Sequence, residues 1–495
     1  MKVTRRQFLK TAVGAAVAAG LPAFPLSYAR SQPKQGVREF RFAASPARVN
    51  LGGGPDFIAW TYNGQIPGPE IRVREGEIVR VILKNFLPEG TTIHWHGVPV
   101  PNSMDGVPVV TQKAVMPGET FVYEFEAKPA GSYMYHSHVH YQLDQGLYGP
   151  LIIEPARPEG SYDREYTLML EDWVMRDGGG IAETERRSTM GGMGGMGMGR
   201  GMGGMGGRGM MRGGGGGRGG LASSAGPLLE PVYDGYAVNG RVGPAITPLE
   251  VSKGDKVKLR LLNPSSATIY VLRLAGHTLT ITHVDGRPIQ PIKTDVLRIG
   301  MGERYDVEFL ADNPGNWLLA AAEQGFGEGQ LRIPVRYKGI EQKEAEAPTF
   351  YRGLRFSNYW DFQALYPSVA SDLGSVDRLY SQTLSGGMHS PYWTINGYVY
   401  PDSERLAVHP GETIGISYVN QSMMSHPMHL HGHFFRVVNQ ALPRERWTLK
   451  DTIIVDPMQR VDIEFLADNP GNWFHHCHNL YHMEAGMANV VSFGS

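Results

Sequence analysis

Alternating apolar and polar residues recur in short runs along this chain, and glycine, proline or asparagine residues separate the runs. Residues 77–83 and 256–262 are two examples. A period of two places the apolar side chains on one face of a β-strand, whereas the spacing typical of amphipathic helices is scarce here. The pattern therefore predicts an all-β protein made of Greek-key β-sandwiches.

Length and an internal repeat predict three such domains. A chain of 495 residues exceeds what one hydrophobic core usually supports. The sequence Phe-Leu-Ala-Asp-Asn-Pro-Gly-Asn-Trp occurs at residues 309–317 and again, unchanged, at residues 465–473, which indicates duplication. We expect domain 1 at residues 36–157, domain 2 at 160–340 and domain 3 at 350–495.

The first 29 residues have the features of a twin-arginine signal peptide. Arg5 and Arg6 precede a short apolar run, which is too short and too rich in alanine and glycine to span a membrane, and a small-x-Ala pattern ends at Ala29. We therefore expect the twin-arginine machinery to export the protein to the periplasm or the cell exterior, with a mature chain that begins near Arg30.

Charge and cysteine content narrow the classes of partner. A net charge of -1 gives no reason to expect nucleic acid or an anionic membrane surface, so the predicted partners are small molecules or metal ions. The only cysteine, Cys477, cannot form a disulfide within the chain. A lone cysteine in an exported protein is more often a ligand or a nucleophile than a packing residue.

Eight histidines form four His-x-His pairs. The first pair is His94 and His96, the second His136 and His138, the third His429 and His431, and the fourth His476 and His478. In an extended strand both members of a pair project to one side and the residue between them to the other, so Cys477 is predicted to face away from the fourth pair. One such pair would be better explained as chance on a solvated strand, but four pairs indicate metal. A thiolate suits a copper that cycles between Cu(I) and Cu(II), and a set of imidazoles suits copper that meets oxygen.

The repeat relates these pairs to one another. It aligns the second pair with the fourth, and a frame anchored on Asn85, Asn263 and Asn420 aligns the first pair with the third. Domain 2 carries leucine and alanine at the corresponding positions. A copper cluster is therefore expected between domains 1 and 3, with domain 2 as a spacer whose His277 and His283 are structural.

A second ligand set surrounds the cysteine. His482 and Met487 follow Cys477, and His426 begins the segment that leads to the third pair. Two histidines, one cysteine and a weak axial methionine are the ligands of blue-copper electron-transfer sites.

These motifs resemble those of the multicopper oxidases, the family that holds laccases, ascorbate oxidase and bacterial cuprous oxidases. The second pair with the following Gly-Leu-Tyr-Gly at residues 146–149, and the closing His-Cys-His-Asn-Leu-Tyr-His-Met-Glu-Ala-Gly-Met, are most similar to those of periplasmic copper-resistance oxidases. The resemblance covers nearly the whole mature chain and implies that each domain is a cupredoxin.

The resemblance also implies four copper ions and a place for each ligand. The type 1 copper takes His426, Cys477 and His482, with Met487 as the axial ligand. The two type 3 coppers take His96, His136, His138, His431, His476 and His478. The type 2 copper takes His94 and His429. Cys477, His476 and His478 then carry electrons from the type 1 site to the cluster, where dioxygen is reduced to water.

Oxygen reduction consumes protons, so a carboxylate near the cluster is needed as a relay. Asp105 stands where the family places one, and a solvated Asp-Gly turn is the alternative. Several relatives have a second acid directly after the histidine that corresponds to His482, but here Met483 occupies that position and Glu484 follows. Glu484 is therefore a proton donor, a brace for its loop or a hydrogen-bond partner of a ligand histidine.

Residues 188–220 form an insertion in domain 2 that is rich in glycine and methionine. Its composition cannot build a packed core, so we expect it to be disordered. Thioethers select Cu(I), and methionines as closely spaced as Met190, Met193 and Met196 allow several sulfurs to gather round one ion. A glycine linker and a sink for oxidants are the alternatives.

Three further methionines lie close to His426 in the sequence. They form either a nearer Cu(I) site or packing around the loop, and they are Met423, Met424 and Met428.

The predicted function is an exported oxidase that couples oxidation of Cu(I), phenols or both to the reduction of dioxygen to water, with a role in copper tolerance. A laccase that acts mainly on phenols is the first alternative. A copper-sequestering protein without turnover and a structural cupredoxin are further alternatives, but neither requires an intact His-Cys-His motif. A copper nitrite reductase does not require four His-x-His pairs.

Overall fold

A computed structural model of the chain describes residues 36–158, 160–175, 230–323, 331–345, 347–348, 350, 353–367, 374–387 and 391–494. The predicted signal peptide at residues 1–29 and the methionine-glycine insertion at residues 188–220 lie outside the described residues. The described part of the chain has no helix with the length and apolar character needed to span a bilayer.

The N-terminal third, residues 37–154, is built from strands whose alternating pattern is visible in the sequence. Its strands are β1 (Val37–Val49), β2 (Phe57–Tyr62), β3 (Ile71–Arg74), β4 (Ile78–Asn85), β5 (His94–His96), β6 (Thr120–Glu126), β7 (Gly131–His136) and β8 (Tyr148–Glu154). They form two 4-stranded sheets in the orders β2-β1-β4-β6 and β3-β8-β7-β5. In β4 every second side chain is buried, among them Val79 and Val81, as the alternation predicts.

The middle third, residues 164–337, has one 7-stranded and one 5-stranded sheet. Its strands are β9 (Arg164–Trp173), β10 (Gly235–Val238), β11 (Arg241–Val242), β12 (Leu249–Val251), β13 (Lys256–Leu262), β14 (Tyr270–Leu274), β15 (Leu279–Val284), β16 (Arg287–Thr294), β17 (Leu297–Ile299), β18 (Arg304–Leu310), β19 (Asn316–Glu323) and β20 (Leu331–Tyr337). The sheet orders are β11-β10-β9-β13-β18-β15-β16 and β12-β20-β19-β14-β17.

The C-terminal third, residues 378–493, has one 6-stranded and one 5-stranded sheet. Its strands are β21 (Arg378–Ser385), β22 (Thr394–Ile395), β23 (Leu406–Val408), β24 (Thr413–Asn420), β25 (His426–Leu430), β26 (Phe435–Val437), β27 (Leu449–Lys450), β28 (Thr452–Val455), β29 (Arg460–Leu466), β30 (Asn472–Cys477) and β31 (Ala488–Phe493). The sheet orders are β22-β21-β24-β29-β26-β27 and β23-β31-β30-β25-β28.

Helical structure in the described residues is short. The α-helix α1 is Leu480–Glu484, and Asn479 caps its N-terminus by accepting hydrogen bonds from two backbone amides. The 3₁₀ turns are Asn102–Met104, His140–Gln142, Gly243–Ala245, Tyr359–Asp361 and Arg444–Arg446.

Each pair of sheets encloses its own hydrophobic core, and a further cluster joins the three thirds. That shared cluster includes Tyr148, Met169 and Tyr481, one residue from each third. The described residues from Val37 onward therefore pack as one compact unit. The prediction of an all-β fold made of β-sandwiches is confirmed.

A buried carboxyl group beside this shared cluster predicts how stability changes with pH. Glu171 accepts hydrogen bonds from the Gly240 amide at 3.0 and 3.1 Å. Burial raises the pKa of Glu171 from 4.5 to about 8, because the charged form loses water. A carboxyl group whose pKa is higher in the folded state stabilises the fold fully at pH values below its pKa in the unfolded state. This stabilisation is lost as the pH rises through its pKa in the folded state. Between pH 4.5 and 8 the group lowers the free energy of unfolding by about 1.4 kcal/mol per pH unit.

Glu171→Gln is therefore expected to gain stability relative to the wild type as pH rises from 5 to 8. Denaturant midpoints of both proteins across this range measure the difference, and contributions common to both, including bound copper, cancel. A constant difference at all pH values would contradict the prediction.

Candidate metal centres

The four His-x-His pairs begin or end on two pairs of neighbouring strands. Antiparallel β5 and β7 place His94 opposite His136. In the same way β25 and β30 place His429 opposite His476. The N-terminal and C-terminal thirds therefore contribute equivalent halves to one site.

All eight histidines of these pairs are buried, and their rings form one cluster. The rings of His94 and His431 stack with centroids 3.8 Å apart, and so do the rings of His96 and His429. Each stack joins the N-terminal third to the C-terminal third. The structure thus brings together the histidines that the sequence assigned to one cluster, while their division among individual copper ions stays a prediction.

The ring nitrogens of this cluster fit metal ions. The Nε2 atoms of His138 and His431 lie 3.4 and 3.1 Å from Nε2 of His476, so three nitrogens converge on one point. Other buried nitrogens have no hydrogen-bond partner among the described residues: Nε2 of His94, His136 and His429, Nδ1 of His96, and both nitrogens of His478. Buried polar atoms are normally paired, and imidazole nitrogens suit copper.

Burial also keeps these imidazoles in the form that binds metal. It lowers the pKa of His136, His138 and His478 well below the ordinary value, and neighbouring histidines lower it further. A neutral ring is required because a protonated nitrogen has no lone pair for a metal.

A second centre surrounds the cysteine. The Sγ atom of Cys477 lies 3.6 Å from Nδ1 of His426 and 3.7 Å from Nδ1 of His482, and the two nitrogens are 3.1 Å apart. Burial lowers the pKa of His426 to about 3 and raises the pKa of the Cys477 thiol. A thiolate in this site therefore requires a bound cation. The donor set is that of a blue-copper site.

Met487 is buried in the same hydrophobic core as Cys477. The Cys477 amide donates a hydrogen bond of 3.0 Å to the Met487 carbonyl oxygen. The strand that carries the thiol therefore lies against the backbone of the predicted axial ligand, and the axial role of its sulfur stays a prediction.

The two centres lie on opposite faces of one strand. Cys477 belongs to the hydrophobic core of the C-terminal third, whereas His476 and His478 lie in the histidine cluster. Trp95 likewise faces a core between the members of the first pair. The alternation predicted from the sequence is thus realised in the strands that carry the motifs.

The two acidic residues proposed as proton relays lie in different surroundings. Asp105 is buried, and its carboxylate lies 3.2 Å from Nδ1 of His94 and 3.0 Å from Nδ1 of His431. Glu484 lies 3.3 Å from Nδ1 of His140, which is not one of the predicted ligands. Glu484 also lines a cavity of about 500 Å³ that reaches His138.

The methionines near His426 divide into two kinds. Met428 is fully buried in the core that contains Cys477, so it is a packing residue. Met423 and Met424 are exposed on the loop before β25. The Cu(I)-site interpretation therefore remains open for these two residues only.

Several residues around the centres were missed by the sequence reasoning. Asp451 and Thr452 contact His96 and His429, and Arg304 from the middle third pairs with Asp451 at 2.6 Å. The middle third therefore does more than separate the other two. One feature of the sequence could have indicated Asp451: the charged pair Lys450 and Asp451 lies within the otherwise mostly apolar segment 449–455.

The lone histidines of the middle third make ordinary structural contacts. His277 Nε2 lies 2.6 Å from the hydroxyl of Tyr337, and His283 Nδ1 lies 3.0 Å from the hydroxyl of Thr282. Both contacts agree with the structural role expected for these residues.

Comparison with known proteins defines the class. Family profiles described as multicopper oxidase match residues 44–158, 164–338 and 377–493. Multicopper oxidase MmcO of Mycobacterium tuberculosis is 34% identical over 459 residues, which cover 90% of this chain and 85% of the relative. A copper resistance protein A homolog of Pseudomonas syringae pv. tomato is 28% identical and covers 99% of both chains. The solved structure of the L499M mutant of the laccase from B. aclada superposes with a TM-score of 0.75 at 25% identity, over 93% of this chain and 88% of that one.

The chain therefore belongs to the multicopper oxidase family. It is an oxidoreductase that acts on oxygen, its three sandwiches are cupredoxin-like, and its cofactor is four copper ions, one of type 1, one of type 2 and two of type 3. The resemblance read from the sequence is confirmed.

Proposed function

We propose that the protein oxidises Cu(I), with phenols as further substrates, at a type 1 site and reduces dioxygen to water at a trinuclear site between domains 1 and 3. The observation that carries this proposal is the position of Cys477, the last residue of β30, between His476 on the same strand and His478 directly after it. The thiol lies with His426 and His482, whereas the rings of both its neighbours lie in the histidine cluster, so three consecutive residues would join the two centres.

The ligands are proposed as read from the sequence. His426, Cys477, His482 and Met487 hold the type 1 ion, His94 and His429 the type 2 ion, and the other six histidines of the four pairs the type 3 ions. Copper, when bound, supplies one-electron redox chemistry at the thiolate and the reduction of dioxygen at the imidazoles.

The residues around the proposed type 1 site determine which reductants can bind there. His426 and His482 are buried, and the half-buried indole of Trp393 packs on both rings, with its centroid 4.0 Å from that of His482. The carboxylate of Glu230 lies 3.9 Å from Nε2 of His482. A carboxylate attracts a cation such as Cu(I), and an indole offers a flat apolar surface to a phenol. Both substrate classes are therefore compatible with the residues that surround the site.

Two observations favour Cu(I) as the main substrate. Relatives that align over 99% of this chain and 99% of their own length are named copper resistance proteins. The methionine-glycine insertion at residues 188–220 lies outside the described residues, but it falls between Met175 and Glu230, and Glu230 contacts the type 1 ligand His482. We therefore propose that the insertion captures Cu(I) for this site.

Replacing all methionines in residues 190–211 by leucine is expected to lower kcat/KM for Cu(I) about tenfold or more while leaving a bulky phenol unaffected, because thioethers bind Cu(I) and leucine does not. The substitution keeps the length and the glycine content of the segment. Oxygen uptake with each reductant measures the effect. Equal kinetics of both proteins with Cu(I) would remove the role of the segment, and turnover of phenols alone would make the protein a laccase.

Proton supply is proposed to involve Asp105, since its carboxylate bridges ring nitrogens of His94 and His431. Glu484 and His140 at the cavity that reaches His138 are the second proposed source. A solvent isotope effect on oxygen uptake that is the same in Asp105→Asn and in the wild type would remove Asp105 from this role.

Export through the twin-arginine pathway to the periplasm or the cell exterior is proposed on the sequence of residues 1–29 alone, and the domain boundaries 36–157, 160–340 and 350–495 stay proposals. The N-terminal sequence of the exported protein tests the first point, since it should begin near Arg30.

A further inference from the structure

We infer that Arg304, a residue of the ligand-free middle third, is a positioning residue for the trinuclear copper site. It holds Asp451 against His96 and His429 and so fixes ligands from the other two thirds relative to each other. This inference rests on the proposed assignment of His96 and His429 as copper ligands.

Arg304 has hydrogen bonds to all three thirds of the molecule. Its two terminal nitrogens each donate a bond of 2.6 Å to one carboxylate oxygen of Asp451 in the C-terminal third. Its Nε donates to the carbonyl oxygen of Ser132 in the N-terminal third at 3.3 Å, and Nη1 donates to the carbonyl of Gly302 in its own third at 2.9 Å. The side chain is fully buried, and a two-pronged arginine–carboxylate pair has a defined orientation.

Asp451 and Thr452 transmit this position to the histidines. The Asp451 carboxylate lies 3.2 Å from Nε2 of His96, and the Asp451 carbonyl oxygen lies 2.9 Å from Nδ1 of His429. The Thr452 hydroxyl lies 3.2 and 3.1 Å from the same two nitrogens. The opposite ring nitrogens, Nδ1 of His96 and Nε2 of His429, have no partner among the described residues. The partners on one side of each ring thus leave the other side for a metal.

The backbone near Arg304 also lies in close contact with the predicted ligand histidines. Gly302 has a φ of +84°, and a Cβ atom there would lie 2.8 Å from Cδ2 of His478 and 3.0 Å from Cε1 of His96. Gly97, which follows His96, has a φ of +85°, and a Cβ atom there would lie 2.2 Å from Nη2 of Arg304. Only glycine fits both positions, so the turn before β18 is a wall of the histidine cluster.

The charged side chains around Arg304 also influence the binding of cations at the histidine cluster. Lys450 lies 2.9 Å from both Asp285 and Glu303, and Arg304 lies 3.7 Å from Asp285 besides its pair with Asp451. These five buried side chains carry two positive and three negative formal charges. The resulting net negative formal charge beside the cluster favours bound cations, and because these groups are buried, solvent screens their charges less than it would at the surface.

Arg304→Met tests the inference, because methionine keeps most of the volume and removes the charge and the donors. We expect copper affinity at the trinuclear site to fall about 10- to 100-fold, the effect typical of losing a partner of a metal ligand. We also expect a changed hyperfine splitting in the electron paramagnetic resonance spectrum of the type 2 copper. Arg304→Lys should not restore the spectrum, because an ammonium group cannot hold both oxygens of Asp451.

Arg260→Met is the matched control. Arg260 is equally a buried arginine between two thirds, with carboxylate partners Glu154 and Asp306, but it contacts no predicted ligand. It should lower stability and leave the type 2 spectrum unchanged. A changed spectrum in Arg260→Met as large as that in Arg304→Met would overturn the inference, since both would then reflect general loosening.

Gly302→Ala keeps the test decisive if Arg304→Met does not fold. The added methyl group should displace His478 or His96 and lower the copper content of the trinuclear site, measured by elemental analysis, while the blue thiolate absorption persists. Full copper content with an unchanged type 2 spectrum in whichever variant folds would overturn the inference. Failure of the wild type to bind copper at the histidine cluster would instead overturn the proposed function.

Discussion

Cys477→Ser is expected to abolish the blue thiolate absorption of the copper-loaded protein and to lower oxygen uptake by more than about 100-fold. Loss of a residue that only hydrogen-bonds a metal ligand typically costs up to about 100-fold, and loss of the ligand itself should cost more. A serine hydroxyl is a hard, weakly acidic donor that cannot replace a thiolate on copper. No other residue can supply a thiolate, because Cys477 is the only cysteine of the sequence, and the other donors that converge there are the imidazoles of His426 and His482. Visible absorption and oxygen-electrode rates measure the result.

Met428→Leu is the matched control for this substitution. Met428 lies directly opposite Cys477 in the pairing of β25 with β30 and is buried in the same core. The exchange nearly conserves volume, so colour and oxygen uptake should persist. Survival of both properties in Cys477→Ser would end the interpretation of the thiol as the link between the two centres.

Removal of copper is expected to lower the midpoint of thermal unfolding by about 10 °C or more. An unsatisfied buried polar group costs about 1–3 kcal/mol, and each kcal/mol shifts the midpoint of a domain of 150–250 residues by about 2–4 °C. Several ring nitrogens of the histidine cluster, including those of His94, His136 and His478, lack a partner within the described chain. Bound copper would satisfy them and would also bridge the N-terminal and C-terminal thirds.

Calorimetry of the apoprotein with and without added copper measures this shift. Magnesium, which prefers oxygen donors, is the control and should leave the midpoint unchanged. An apoprotein as stable as the copper-loaded protein would show that the histidine cluster is held by packing alone.

Much of the candidate site could be predicted because its information is local. Side chains two residues apart lie on the same face of a strand. Both imidazoles of a His-x-His pair are therefore predicted to project to the same side without any knowledge of the fold. The same rule separates Cys477 from His476 and His478. The repeat at residues 309–317 and 465–473 adds the relation between distant segments, because copies of one fold place equivalent residues alike.

Contacts across the thirds could not be predicted in this way. Glu230 and His482 are neighbours in space, yet neither pattern nor repeat relates them. The roles of Arg304 and Asp451 depend on burial in a junction of three sandwiches, since an exposed pair of the same charges would contribute little. The expectation that the middle third is a spacer did not include these contacts, because they depend on distant segments.

The sequence by itself thus determined the class of fold, the copper chemistry and the two opposite faces of the strand that carries the cysteine. Periodicity and ligand type are properties of neighbouring residues, and they persist in whatever arrangement the domains adopt. Only the tertiary structure decided which carboxylates orient which imidazoles, what covers the type 1 site and how the middle third closes the histidine cluster. Those features arise where distant segments exclude water together, and burial there determines which charges must pair.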